Sequence, residues 1–98
     1  MVNRALYVRL HAKPGKEAEL AAFLAGALPL ALREAGTVHW FALKFDEKTF
    51  GVFDTFATED ARQAHIKGDI AAALMAKAGE LLSEPPKIEA VELMAAKA

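Results

Sequence analysis

The sequence predicts one α+β domain of ferredoxin-like order, β-α-β-β-α-β: a four-stranded antiparallel sheet with helices on one face. Three observations predict it. Segments with period-two apolar alternation stand at both ends of the chain and as a pair in its middle. Two alanine-rich segments with helical apolar spacing lie between them, and Gly or Pro marks the joints.

From Ala5 to Ala12, Leu6, Val8 and Leu10 alternate with Tyr7, Arg9 and His11, as in a strand with two unlike faces. Pro14-Gly15 ends it, with Gly15 expected as the N-cap of a helix whose first turn carries Glu17 and Glu19. Apolar residues at Leu20, Phe23, Leu24, Ala27 and Ala31 continue that helix to about Ala35. Pro29 predicts a kink or break near Ala25 to Leu28, and Gly36 is expected to close the helix as a C-terminal glycine. Thr37–Phe45 and Thr49–Phe56 form a hairpin around Asp46-Glu47-Lys48. With an even loop, Phe41, Leu43, Phe45, Phe50, Val52, Asp54 and Phe56 share one face, and Val38, Trp40, Ala42, Phe53 and Thr55 the other. An odd loop would reverse one strand against its partner. Thr58 caps a helix that opens with Glu59 and Asp60, loosens at Gly68 and resumes from Asp69 to Leu82. Pro85-Pro86 stops it, Lys87–Met94 is the last strand, and Ala95 to Ala98 is a frayed tail.

Helices cover only one side of such a sheet, yet the central hairpin is apolar on both. With 98 residues, 54% of them hydrophobic, a second copy packed sheet against sheet is the simplest way to complete the burial, so a homodimer is expected. A net charge of −1 without basic clusters argues against nucleic acid as partner. Arg4, Arg9, His11 and Lys13 interrupt the first segment, leaving no apolar run for a signal peptide or a membrane helix. The chain has no cysteine, which suits a cytoplasmic protein and removes thiolate chemistry.

His65 and Asp54 are the pair placed for chemistry. An imidazole exchanges protons near neutral pH, and a carboxylate among Phe50, Val52 and Phe56 must find a donor or shift its pKa. The alternatives are a structural helix histidine, and an ion pair of Asp54 with Arg62 or Arg9. Phe41, Phe56 and Trp40 are candidates to wall an apolar pocket, and Tyr7 to meet a ligand at its phenol. Each is also at home in plain core, interface or sheet edge. His11, His39 and His65 are scattered, so no metal motif is visible; the glycines form no phosphate loop, and no flavin, nicotinamide or nucleotide site appears.

Lys13-Pro14-Gly15-Lys16, Ala35-Gly36-Thr37 through Trp40, and Asp54-Thr55-Phe56 followed by Ala61 and Ala64-His65 resemble the antibiotic biosynthesis monooxygenase (ABM) domain family along nearly the whole chain. The resemblance implies a dimeric α+β barrel with a pocket between sheet and helices in each subunit. The members include cofactor-free oxygenases of aromatic polyketides, quinol oxygenases and haem-degrading enzymes. It carries the family's histidine onto His65, while Asp54 stands where many relatives have glutamate. Haem degradation fits poorly: those relatives have tryptophan at the position of His65 and a haem-ligating histidine near Met75. The first strand also lacks an asparagine in its core.

The expected activity is therefore oxygenation of a small electron-rich aromatic, with no bound cofactor and with His65, or His65 with Asp54, as base. The alternatives are a non-catalytic dimer that holds a small apolar molecule and a structural dimer with a filled core.

Overall fold

The computed structural model describes residues 2 to 97. Its elements are β1 (Arg4–His11), α1 (Glu17–Gly26), α2 (Leu28–Leu32), β2 (Thr37–Lys44), β3 (Thr49–Phe56), α3 (Glu59–Ile66), α4 (Asp69–Leu81) and β4 (Lys87–Glu92). All strand pairs are antiparallel, in the order β2-β3-β1-β4. The fold is the expected ferredoxin-like α+β arrangement. Both helical layers are broken where the sequence foretold, at Ala27 and at Lys67-Gly68. Pro29 sits in the first turn of α2, where its missing N–H costs nothing, so the helix restarts rather than bends.

Gly15 is not the cap of α1; Lys16 holds that place. Lys16 N–H bonds to Lys13 O at 2.9 Å, with Pro14 and Gly15 between them and Gly15 at φ 85°, the pattern of a type II turn. Gly36 does not close a helix either, because α2 ends at Leu32 with Arg33 as its cap. A Cβ at Gly36 would lie 2.6 Å from the Ala61 Cβ, so glycine there lets α3 come against the loop before β2. After Glu92 there is no further regular element up to residue 97, and the expected tail residue Ala98 lies outside the described residues.

The β2–β3 loop has three residues. Asp46 Oδ1 accepts the N–H groups of Lys48 and Thr49 at 2.9 and 2.8 Å, and Phe45 N–H reaches Thr49 O at 2.9 Å. This side-chain turn shifts the pairing by one residue from an even loop, so Trp40 stands opposite Asp54 and Phe41 opposite Phe53. The shift exchanges the two faces of β2. A bulge between Thr37 and His39 marks the start of the strand.

Leu10, Leu20, Leu24, Phe50, Val52, Leu81 and Leu82 form the main core between sheet and helices, with Trp40 and Val8 packed against it. A smaller cluster of Ala27, Ala31 and Ile70 also takes Trp40 on its flank. On the other side of the sheet Phe41 and Phe45 are 50% and 46% exposed, and Tyr7 meets Phe45 edge-on at 6.4 Å. No helix is long and apolar enough to cross a membrane among the described residues.

Candidate functional site

Asp54 sits in the middle of β3, flanked by Leu6 on β1 and Trp40 on β2, and it is 0% exposed. The pleat turns it to the helix-covered face, where α3 meets it. Thr58 starts α3 by accepting the Ala61 N–H at 3.1 Å, which fixes the helix so that its last turn delivers His65 to the core, 8% exposed. His65 Nε2 lies 2.9 Å from Asp54 Oδ2. The contact is a close charge pair out of line with the ring N–H: neither oxygen of Asp54 has an aligned donor among the described residues.

The second ring nitrogen is held by a residue that sequence reasoning missed. Glu34, between α2 and β2, places Oε1 2.5 Å from His65 Nδ1 and accepts the Thr37 hydroxyl at 2.7 Å. Its only sequence signal is its position directly before the Ala35-Gly36-Thr37 run. Nothing periodic singles out one carboxylate at the end of a helix.

Burial works against a charge on His65, but Asp54 and Glu34, one beside each ring nitrogen, outweigh it and push its pKa up to about 9. The C-terminal turn of a helix favours a cation in the same sense. At neutral pH the ring is an imidazolium between two carboxylates. Its inner end reaches the buried Asp54, and its outer end reaches Glu34. A cleft of about 260 Å³, lined by Glu34, Gly36, Ala61, Ala64 and Gly68, opens beside His65.

Phe56, fully buried, stands with its ring centre 5.2 Å from that of His65. Trp40, expected on the opposite face, joins the same side because of the odd loop; its Nε1 is buried and has no partner among the described residues. His65, Asp54, Phe56 and Trp40 therefore share the helix-covered side of the sheet, whereas Phe41 and Tyr7 lie on the open face, away from His65. The anticipated arginine partners of Asp54 are engaged elsewhere. Arg62 binds Glu59 and the carbonyls of Ala5 and Val91, and Arg9 lies 4.5 Å over the Phe45 ring. No group of three or more His, Asp or Glu among the described residues is arranged to hold a metal ion.

No protein-family model matches the chain, and no curated protein does. The protein NE2512 of unknown function from Nitrosomonas europaea is 67% identical over 100% of this chain and 95% of its own, with a TM-score of 0.98. This chain belongs to that protein's family. The family has the ABM fold: a candidate antibiotic biosynthesis monooxygenase from Nitrosomonas europaea superposes with a TM-score of 0.82 at 16% identity, covering 94% of this chain and 90% of its own. Another from Caulobacter crescentus gives 0.76 at 22% identity, covering 96% and 92%. The ABM-like fold expected from the sequence for the single chain is the one observed.

Proposed function

We propose that this ABM-like chain is a cofactor-free monooxygenase of a small electron-rich aromatic, such as a hydroquinone or an anthrone, working as a homodimer. One observation carries the reading: a fully buried carboxylate, Asp54, paired with an imidazole of raised pKa beneath Phe56 and Trp40. The ABM fold, shared with candidate monooxygenases, supports it. The exposed Phe41 and Phe45 on the open sheet face support a second copy packed there.

At pH 7 a protonated His65 is no base, so proton removal falls to the Asp54–His65 pair. Asp54 takes the phenolic proton and the neighbouring imidazolium offsets the charge that remains on the ring oxygen. The substrate anion passes one electron to O2. The resulting ring radical and superoxide combine into a C–O bond, and the peroxide takes up a proton. Loss of water, with the ring proton at that carbon, leaves a quinone. One oxygen atom enters the product, the other leaves as water, and all four electrons come from the substrate. Phe56 and Trp40 orient the ring and exclude water.

His65→Ala should abolish oxygen uptake with a turned-over hydroquinone while the protein still elutes as a dimer. Unchanged turnover would remove His65 from the mechanism. A wild-type protein that binds the aromatic without consuming O2 would be a binder instead.

A further inference from the structure

The His65 ring is tied at one nitrogen and only approached at the other. Its Nδ1–H donates to Glu34 Oε1 at 2.5 Å. Its Nε2–H is aimed off the line to Asp54 Oδ2, although that oxygen is only 2.9 Å away. A hydrogen bond weakens steeply as the donor leaves its line, so the first contact fixes the ring plane and the second does not. By turning onto the buried carboxylate, the imidazolium would gain a charge-assisted hydrogen bond, roughly twice as strong as a neutral one. It is held back from doing so.

Glu34 has the means to hold it. The Thr37 hydroxyl donates to the same Oε1 at 2.7 Å, and the Thr37 N–H closes onto the Glu34 carbonyl at 3.1 Å. The carboxylate is thereby clamped by the four-residue turn that it opens. Gly36 in that turn lies against Ala61, one turn of α3 before His65, so the clamp and the helix that carries the ring are in contact. Behind the carboxylate, a Cβ at Gly68 would stand 3.3 Å from Glu34 Oε2. Fixed from these sides, Glu34 has little room to follow a turning imidazole.

We propose that Glu34 is a positioning residue that holds the His65 ring off the line to Asp54. The Asp54 oxygens are then free to take a proton, and the His65 Nε2–H is free to meet the oxygen that loses it. The role rests on the Asp54–His65 reading above. One ring nitrogen's hydrogen bond sets what the other can do, and a base oriented by a third group is the general pattern. A ring released from Glu34 turns onto Asp54 and ties both groups to each other. Glu34 touches the ring and not the reacting atoms, so it acts only through His65.

Oxygen uptake with a hydroquinone that the wild type turns over, measured at pH 6, and NMR of the His65 ring protons test this together. Glu34→Ala should lower kcat at least tenfold with little change in KM, since a misplacement of about 1 Å can cost ~10²-fold. Its Nε2 proton resonance should move downfield as the ring closes on Asp54. Glu34→Gln keeps an oxygen acceptor of the same reach, so its resonance should stay in place and its kcat within about fivefold of the wild type. The cleft of about 260 Å³ beside Glu34 and His65 has room for a small carboxylate, so formate should restore Glu34→Ala and leave the wild type unchanged. Wild-type kcat and Nε2 resonance in Glu34→Ala, a Glu34→Gln as slow as Glu34→Ala, or no recovery with formate would each overturn the positioning role. Should Glu34→Ala not fold, Thr37→Val unclamps the carboxylate and keeps its charge; an Nε2 resonance that does not move downfield there would overturn the role equally. A wild type that consumes no O2 would remove the oxygenase, and the Nε2 resonances would still decide the position of the ring.

Discussion

The two ends of α3 handle charge in opposite ways. At the first turn Glu59 accepts from Arg4 at 3.3 Å, from Arg62 at 3.2 and 2.5 Å and from Gln63 at 2.9 Å. Those hydrogen bonds, Arg62 first, hold its carboxyl down at about 2. Arg62 also ties the carbonyls of Ala5 and Val91 together at 3.2 Å each, so it fastens α3 to β1 and β4. Glu59 and Arg62 are both partnered there, at the edge of water. Six residues later His65 is wedged between two carboxylates, and the buried Asp54 has an oxygen with no partner among the described residues. A fold that needed only to be held would end both turns like the first. Unmet polar groups at the buried end call for a specific explanation, and the proposed site supplies one.

The largest test of the contrast is Asp54→Asn. The side chain keeps its shape and loses its basicity, so turnover should fall by about 10²–10⁴-fold. The melting temperature should move by only a few degrees. A collapse of folding with intact activity in the folded fraction would place Asp54 with Arg62, as structure.

Titration should separate the ends next. His65 has a folded pKa of about 9 against an ordinary 6.5. The stability it contributes is fully present below pH 6.5 and lost as pH rises through 9, with an upper bound of about 3 kcal/mol for such a shift. Glu59 is lowered from 4.5 to about 2, so its contribution is present above pH 4.5 and lost as pH falls through 2. Urea midpoints measured from pH 6 to 10 should fall in the wild type and stay flatter in His65→Gln. An equal alkaline loss in both would detach the effect from His65.

A smaller effect is expected at the satisfied end. Arg62→Met keeps the stem but drops the ties to Ala5 and Val91, and should cost about 2 kcal/mol. Turnover per folded molecule and the titration of His65, followed by NMR, should not change. A shift of the His65 titration would show that the two ends are coupled through α3.

Most of this architecture was legible in the sequence, for local reasons. The breaks at Ala27 and Gly68, the cap at Thr58 and the bounds of β3 follow from Pro, Gly, Thr and alternation, which act over a few residues. Asp54 and His65 were legible as residue types. What was not legible depended on a single count. The Asp46 side chain closes a three-residue loop, and that one residue moved Trp40 into the site and Phe41 out of it. Glu34 escaped because its role comes from a 31-residue separation in the chain that folding brings to hydrogen-bond distance.

Gly36 is where the two halves of the site are brought together, and it supplies the finest test. An added Cβ meets the Ala61 Cβ at 2.6 Å, which neither backbone can absorb in place. Gly36→Ala should therefore push α3 away from the loop that carries Glu34, at a cost of about 1–2 kcal/mol. Because Glu34 is two residues upstream, its contact with His65 should lengthen and the His65 pKa, read by NMR, should fall below 9. Ala61→Gly removes the opposing methyl but costs about 1 kcal/mol in a helix interior. The double variant should nonetheless recover the His65 titration, so the two substitutions should be non-additive, as expected for residues in contact. If the pKa falls and the second substitution does not restore it, the glycine acts through the flexibility of the loop rather than through its approach to α3.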